Sequence, residues 1–430
     1  MEQGKAKVRE TERPNGLRDM EDDIMVSVLC TAYNHENFIK DAIEGALRQK
    51  VNFKYELIVH DDASTDKTPE IINEYAKKYP EVIRAIMQRE NQYQKHHIYA
   101  EFLFPNAKGK YIAFCEGDDY WTDEHKLQKQ IDFLESHPEY SLCMHNAVKQ
   151  NYETGEEKML DTFPEDGAYS QEDQILAGLG TDFPAFASYV FRAGLLKEIP
   201  DFFLSSKVMD YPIRQYLASR GKVYYFKKPM SVYRVATPQS YMKKTSESQS
   251  FSNNYTLEMI CFFEKLNQYT DQKFNSILER KLISDYFGFC LSISADEGIQ
   301  KASERGLDLE KIKACYKCLD LGYLDESVRK IYEKTDHLFL YGTSRLAPIC
   351  RRQLEYAGID FEGYVVSDGQ MKADAIEGKK IFYLSEVMEQ YRHPGFVLAV
   401  QPVNAGILEA ALKGYGVKDY CKPYFLQNYD

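Results

Sequence analysis

From residue 24 onward, the sequence alternates short apolar runs rich in β-formers with segments whose apolar residues recur at helical spacing. Residues 24–31 and 55–60 are two such runs, and a helical period lies between them. A strand–helix–strand alternation of this kind is typical of a mostly parallel sheet flanked by helices. The predicted fold class is therefore α/β. A shorter aromatic strand is predicted at 222–226.

The length of 430 residues allows two or three domains. The first residues are dense in both signs of charge, and after the first α/β region the pattern becomes helical before a second strand–helix alternation begins. The predicted segments are a flexible tail (1–23), a first domain (24–245) with halves at 24–150 and 151–245, a helical connector (246–335) and a small Rossmann-like α/β domain (336–430).

The charge balance and the cysteines narrow the function classes. With 54 basic and 66 acidic residues the net charge is −12, which argues against an extended nucleic-acid surface. No run approaches the roughly 18 apolar residues that cross a bilayer. Nine scattered cysteines without a secretory leader favour reduced thiols in a cytoplasm. We therefore expect a cytoplasmic protein that does not bind nucleic acid.

Two acidic clusters directly follow predicted strands. Glu116, Asp118 and Asp119 come after the strand at 111–115, and Asp61 and Asp62 come after the strand at 55–60. The ends of parallel strands are where ligands bind in open α/β sheets. A hard divalent ion takes one or two carboxylates and completes its shell with phosphates and water, so the first cluster predicts a metal site. The alternative is a solvated acidic turn.

The residues after Asp62 have a simpler explanation. Ser64, Thr65 and Asp66 are residue types that stabilise turns, so a structural role is sufficient for them. Thr68 is expected to cap the next helix, with Pro69 in its first turn.

Three motifs in succession resemble the nucleotide-binding half of a family 2 glycosyltransferase with the GT-A fold. They are TAYNHENFIKDAIEGALRQ, YELIVHDDASTDKTPEII and KYIAFCEGDDYWTDEHKLQKQIDFL, and they cover about residues 24–150. The resemblance implies transfer of a sugar from a nucleotide-diphosphate donor, usually with inversion and with Mn²⁺ or Mg²⁺. A UDP-sugar is the favoured donor, and the enzyme class is a hexosyl- or N-acetylhexosaminyl-transferase.

The same resemblance assigns roles to individual residues. Glu116 stands where the family often has the first Asp of its D-x-D-type element. The residues implied to bind the nucleotide are Ala32, Tyr33, Glu36, Asp61, Asp62 and Asp118, and those implied to bind the metal are Asp118, Asp119 and Glu116.

Beyond the donor half, the family places its general base at an acidic residue that opens a helix. Asp210, in the segment MDYPI, fits that position and is the predicted catalytic residue. A hydroxyl has a pKa far above neutrality, so a carboxylate has to accept its proton during attack. The alternative is that Asp210 only caps its helix. Arg234 and Lys243 are candidates for contacting the diphosphate, with a solvated position as the alternative for each.

The expected acceptor is a hydroxyl of a glycan or lipid-linked intermediate in polysaccharide biosynthesis, which would bring the chain to the inner membrane face. A rival interpretation is a non-catalytic nucleotide-sugar-binding scaffold of a polysaccharide assembly complex.

The C-terminal region has a weaker signal. Gly342, Thr343 and Ser344 lie between a predicted strand and helix, and Asp368 follows the next strand, as in dinucleotide-binding units. The glycine fingerprint of those units is not met. The segment resembles Rossmann-like modules attached to some bacterial polysaccharide enzymes, and docking or self-association is expected here. An NAD-dependent sugar-modifying activity is the rival.

Overall fold

The structure is a computed structural model. It describes residues 23–93, 95–177, 183–206, 208–238, 240, 243, 245, 247–320, 322, 324–343, 346–370, 373–400 and 402–422. The predicted tail falls almost entirely outside these residues, and so does Ser344. The chain divides into two compact units, 1–240 and 241–430. The finer boundaries proposed from the sequence remain predictions.

The first unit is an α/β fold built on a ten-stranded sheet. Its strands are β1 Val26–Ala32, β2 Tyr55–Asp61, β3 Ile83–Met87, β4 Tyr111–Phe114, β5 Tyr120–Trp121, β6 Tyr140–Asn151, β7 Glu157–Met159, β8 Gly167–Tyr169, β9 Val190–Arg192 and β10 Lys222–Val235. Its helices are α1 Ile39–Leu47, α2 Thr68–Lys78, α3 Lys126–Ser136, α4 Gln171–Ala177 and α5 Asp210–Arg220.

The sheet has the order β3-β2-β1-β4-β9-β6-β10-β5, with β7 beside β6 and β8 beside β10. Strands β3, β2, β1 and β4 run parallel, β9 runs antiparallel to both its neighbours, and β10 runs parallel to β6. This confirms the predicted α/β fold class. Among the described residues the sheet is mixed, with four parallel and five antiparallel strand pairs. The carboxyl ends of the four parallel strands therefore lie at one edge, as the sequence predicted.

The register of the parallel strands determines which residues share that edge. Ala32 at the end of β1 lies opposite Asp61 at the end of β2. On the other side of β1, Leu29 lies opposite Phe114, the last residue of β4. The backbone N–H of Gly117 then donates to the carbonyl of Thr31 over 2.9 Å. The acidic cluster after β4 is thereby attached to the end of β1.

Two local predictions are wrong. The strand predicted at 222–226 continues to Val235, and its pairing with β6 shifts register around Pro229. Proline has no N–H for the ladder, and a bulge accommodates it where the pattern suggested an end. Thr68 does not cap α2: Asp66 Oδ1 accepts the Thr68 N–H at 2.9 Å instead.

The interior of the first unit contains one lysine. Lys126 opens α3 with its side chain fully buried, and its Nζ lies 4.1 Å from the centre of the Trp121 ring. No hydrogen-bond partner of that Nζ is found in the part of the chain that the structure describes.

The second unit begins with a helical region and continues as a second α/β sheet. The helices are α6 Gln249–Tyr269, α7 Asn275–Cys290, α8 Ala295–Glu304, α9 Leu309–Leu319, α10 Glu326–Lys334, α11 Ala347–Tyr356, α12 Leu384–Gln390 and α13 Pro402–Gly414. The strands are β11 His337–Tyr341, β12 Gly363–Val366, β13 Ala375–Ile376, β14 Lys379–Tyr383, β15 Pro394–Leu398 and β16 Tyr420–Cys421.

The second sheet has the order β13-β14-β12-β11-β15-β16. All of its pairs are parallel except β13 with β14. The chain runs outward from β11 through β12 to β14 and then continues on the other side of β11, as in doubly wound sheets. Along the described residues, no helix combines the length and apolar character that crossing a bilayer requires.

Candidate functional site

The acidic loop, residues 116–119, leaves the sheet at the end of β4 and folds into a tight turn. The backbone N–H of Asp119 donates to the carbonyl of Glu116 over 3.0 Å. Asp119 is buried, and its Oδ1 accepts the backbone N–H of Arg234 at 2.9 Å. Its Oδ2 is buried without a hydrogen-bond partner among the described residues. An unpartnered buried carboxylate oxygen is costly, which makes this oxygen a candidate ligand.

The carboxyl groups of this loop perturb one another. Burial raises the pKa of Glu116 well above its usual range, and the charges of Asp118 and Asp210 raise it further. Burial, followed by the charges of Asp118 and Glu116, also raises the pKa of Asp119. Like charges held this close are stabilised either by a bound proton or by a cation. The loop is therefore built to attract positive charge.

Asp118 is half-buried and is held by residues at and beyond the end of β10. Its Oδ2 accepts a hydrogen bond from Thr237 Oγ1 at 3.2 Å, and its carbonyl oxygen accepts one from Arg234 Nη1 at 3.1 Å. Asp118 and Glu116 are half-buried, so both carboxylates of the loop other than that of Asp119 have solvent access. The end of β10 thus fixes the acidic loop in place.

Arg234 has a structural role that neither sequence interpretation anticipated. It is only 9% exposed, and its guanidinium lies 4.4 Å from the centre of the Tyr120 ring and 5.3 Å from that of Phe38. Its Nη2 donates to the carboxylate of Asp41 on α1. A solvated position is therefore wrong, and its donors to Asp41 and Asp118 link α1 to the acidic loop. Lys243 belongs to the second unit, and its role remains a prediction.

The predicted nucleoside residues lie at the neighbouring strand ends, and their acids are already hydrogen-bonded. Asp61 accepts both the N–H and the hydroxyl of Ser64, at 3.1 and 2.5 Å. Asp62 accepts the backbone N–H groups of Gln92 at 2.7 Å and Tyr93 at 3.1 Å. A carboxylate has about four lone-pair sites, so these bonds leave acceptor capacity for a ligand.

The loop after β1 and the loop after β2 are joined by side chains. Asn34 donates its N–H to Ser64 Oγ at 2.9 Å and accepts the Thr65 N–H at 2.8 Å. Glu36 donates its N–H to Asp66 Oδ2 at 3.0 Å and accepts the Lys67 N–H at 3.1 Å. The structural role predicted for Ser64, Thr65 and Asp66 is therefore confirmed.

Ala32 and Tyr33 lie at the start of the first of these loops. The carbonyl of Ala32 accepts the backbone N–H of Asp62 at 3.0 Å. The next residues include Asn34, which has a left-handed φ of 55°. Asparagine adopts that conformation more readily than most residues. Asn34 was not singled out from the sequence, although its place between two polar clusters is a recognisable turn signal.

Asp210 opens α5, is half-buried, and accepts the backbone N–H of Tyr211 at 2.6 Å. Burial raises its pKa. Its charge acts on Glu116, and both acids act on the phenols of Tyr189 and Tyr233. The structure therefore brings the helix-opening acid of the second half of the domain into the electrostatic field of the acidic loop.

A divalent ion is implied by the sequence resemblance. No three His, Cys, Asp or Glu side chains converge on one point within the described residues. An ion that takes one or two carboxylates together with substrate phosphates does not need such a group. The solvent access of Asp118 and the unpartnered Oδ2 of Asp119 fit an ion of this kind.

Comparisons with known proteins find relatives of the first unit. Residues 27–199 match the family described as glycosyl transferase family 2. An uncharacterised protein of Mycobacterium tuberculosis is 44% identical over 132 residues, which is 30% of this chain and 37% of that protein. The UDP-Glc:alpha-D-GlcNAc-diphosphoundecaprenol beta-1,3-glucosyltransferase WfaP of Escherichia coli is 37% identical over 113 residues, covering 26% and 42%.

Other similarities are partial. The minor teichoic acid biosynthesis protein GgaA of Bacillus subtilis is 32% identical over 136 residues, covering 31% of this chain and 29% of that protein. The chain thus spans between about a quarter and a half of the length of these relatives. The solved structure of S. aureus TarS 1–349 with UDP-GlcNAc has 16% identity and a TM-score of 0.43, covering 68% of this chain and 90% of that one.

Proposed function

We propose that this chain, whose residues 27–199 form a glycosyl transferase family 2 domain, transfers a sugar from a nucleotide-diphosphate sugar to a hydroxyl group. The favoured donor is a UDP-sugar, and the transferred group is a hexose or an N-acetylhexosamine. The acceptor is a glycan or lipid-linked intermediate of polysaccharide biosynthesis. Under this proposal the reaction inverts the anomeric configuration.

The observation that supports the proposal is the electrostatic interaction between Asp210 and the acidic loop. Glu116, Asp118 and Asp119 come from the end of β4, whereas Asp210 comes from the start of α5, about ninety residues later. The charge of Asp210 nevertheless raises the pKa of Glu116. Sugar transfer needs a cation that neutralises the departing diphosphate and a base that accepts the hydroxyl proton. Under this proposal the acidic loop would hold the cation and Asp210 would be the base.

In the proposed mechanism, Asp210 is the general base. Its carboxylate accepts the proton of the acceptor hydroxyl while that oxygen forms a bond to the anomeric carbon and the bond to the diphosphate breaks. Attack opposite the leaving group inverts the anomeric centre. The raised pKa of Asp210 suits this task, because a base is most effective when its pKa lies near the working pH.

The remaining residues bind the donor. Asp118 and Asp119 would hold Mn²⁺ or Mg²⁺, and Glu116 would act on that ion indirectly. The ion would neutralise charge on the departing diphosphate. The ends of β1 and β2 would hold the nucleoside through Ala32, Tyr33, Glu36, Asp61 and Asp62.

The proposed setting follows from the relatives. The name of WfaP describes transfer of glucose from UDP-Glc to a diphosphoundecaprenol-linked sugar. A comparable lipid-linked acceptor for this chain would place it in the cytoplasm at the inner membrane face. The second unit would then serve docking or self-association.

Donor binding and turnover test the proposal separately. Thermal unfolding with a panel of nucleotide sugars, with and without Mn²⁺, should give the largest increase for one UDP-sugar, because a ligand of the native state stabilises it. The same mixture should release UDP. Asp210→Asn should keep the thermal shift and lose turnover by about 100-fold or more.

Glu326→Gln is a matched control, because Glu326 also opens a helix but belongs to the second unit. It should leave both measurements unchanged. A donor-induced thermal shift without any turnover would instead favour the non-catalytic scaffold. Full activity in Asp210→Asn would remove Asp210 from the mechanism.

A further inference from the structure

Arg214 lies on α5, and its guanidinium is buried without a hydrogen-bond partner among the described residues. Its side chain is 0% exposed, and its Nε, Nη1 and Nη2 atoms have no hydrogen-bond partner among the described residues. Its guanidinium carbon lies 5.2 Å from the centre of the Tyr211 ring. A cation–π contact offsets only part of the cost of removing a guanidinium from water. Such a group needs negative charge nearby.

The negative charge available to Arg214 is that of Asp210. The two residues are four positions apart on α5, so they lie one above the other on the same helix face. An acid four residues before a base is the favourable orientation of such a pair. No ion pair within 4 Å joins them, since Arg214 appears in none of the salt bridges of the described chain. Their attraction therefore acts through space within a buried region.

The other titratable groups that the charge of Asp210 influences are acids and phenols. The charge of Asp210 disfavours ionisation of Glu116 and, together with Glu116, of Tyr189 and Tyr233. The pKa of Asp210 is raised by burial and lowered by the backbone N–H of Tyr211 and by the charge of Arg214. Arg214 is the charged group among these causes, so without it the half-buried carboxyl group would keep its proton more readily.

We propose that Arg214 is a positioning residue whose charge keeps the Asp210 carboxylate available to accept the proton of the acceptor hydroxyl. It acts through Asp210 and does not touch the donor. This inference rests on the proposed function, because it concerns how the proposed base is prepared.

Steady-state kinetics of Arg214→Met test the inference. The value of kcat should fall about 10- to 100-fold while the KM for the donor stays within twofold of wild type. Arg214→Lys, which keeps the charge, should restore kcat to within about fivefold of wild type.

Arg220→Met is the matched control on the same helix, since Arg220 is half exposed and pairs with Glu198 at 2.7 Å. It should leave kcat unchanged. If Arg214→Met does not fold, Arg214→Gln takes its place, with the same expected loss and the same rescue by lysine.

A double-mutant cycle separates this inference from the proposed function. In the Asp210→Asn background, Arg214→Met should cause no further loss of kcat, because the group through which it acts is gone. Equal losses in both backgrounds, or wild-type kcat in folded Arg214→Met, overturn the inference while the proposed function stands. Wild-type activity of Asp210→Asn itself overturns both.

Discussion

The acidic residues at the carboxyl edges of the two sheets differ in their hydrogen bonding and in the direction of their pKa shifts. In the second unit, Asp368 follows β12, and both of its carboxylate oxygens are hydrogen-bonded, to Ser385 and to Tyr415. The bonds from Ser385 lower its pKa. In the first unit, burial and like charges raise the pKa of Glu116 and Asp119.

This difference shows how similar topologies acquire different chemistry. Both sheets place polar residues at the ends of parallel strands. Among the described residues of these two edges, the first holds acids whose pKa values are raised by burial and like charge, and there Asp119 Oδ2 is buried without a hydrogen-bond partner. A carboxylate whose two oxygens are both hydrogen-bonded, such as that of Asp368, stabilises the fold locally. Acids with strongly shifted pKa values are characteristic of functional sites. The comparison therefore favours the first edge as the reactive one.

Replacing one acid at each edge with its amide is the strongest test of the difference between the two edges. Asp118→Asn should lower donor turnover by about 100- to 1,000-fold, because a proposed ligand of the ion that neutralises the diphosphate is lost. Asp368→Asn should leave turnover unchanged and cost about 1 kcal/mol of stability at most. UDP release measures the first effect and urea unfolding the second. Equal turnover in the two variants would contradict the assignment.

The interior beneath the first edge gives a second test. Burial lowers the pKa of Lys126 to about 7, whereas an unfolded lysine titrates near 10.4. Between these values the unfolded chain binds a proton that the folded chain lacks. The free energy of unfolding should therefore rise with pH in this range, and Lys126 should add up to about 1.4 kcal/mol to it for each pH unit. The contribution of Lys126 to stability should be lowest below about pH 7.

Lys126→Met should remove that slope, so the variant should gain most over wild type near pH 7 and little near pH 10. Urea unfolding at several pH values measures the difference. Lys129→Met is the control, because Lys129 lies on the same helix but pairs with Asp123 at 2.6 Å and is partly exposed. Parallel pH curves for wild type and Lys126→Met would show that Lys126 does not titrate as described.

The second edge depends on close packing around a glycine, and this gives the smallest of the three effects. Gly342 has a φ of +116°, and a Cβ there would lie 2.3 Å from Val400 Cγ1 and 3.0 Å from the carbonyl oxygen of Ala399. Gly342→Ala should therefore cost about 2 kcal/mol of stability. Hydrogen exchange of the β11 and β15 amides measures it.

Gly358→Ala serves as the control, because Gly358 has a φ of +70° but a Cβ there would meet nothing within 4 Å among the described residues. It should cost about 1 kcal/mol, which is the conformational part alone. Equal losses at the two glycines would mean that the contact with Val400 adds nothing.

Much of the fold could be predicted because its signals are local. Strands β1 and β4 are largely apolar runs, and the acids at 61–62 and 116–119 lie at or just after the ends of β2 and β4. The position of Asp210 came from a resemblance to a family and not from spacing. Its proximity to Glu116 depends on the path of the chain through about ninety intervening residues.

The features that were missed depend on contacts between distant residues. Arg234 is buried between Phe38 and Tyr120 and bonded to Asp41, and a basic residue after an aromatic strand gives no sign of such partners. The continuation of β10 past Pro229 requires a bulge against β6, which a proline conceals. The lack of a hydrogen-bond partner for the Arg214 guanidinium among the described residues likewise depends on packing around α5.

The hydrogen bonds between the loops after β1 and β2 affect how a donor would be received. The backbone N–H groups of Asn34, His35 and Glu36 all donate to side chains of the second loop. These two loops are consequently ordered when the chain folds. A nucleoside that bound between these two loops would lose little affinity to loop ordering, because the hydrogen bonds already hold the loops in place.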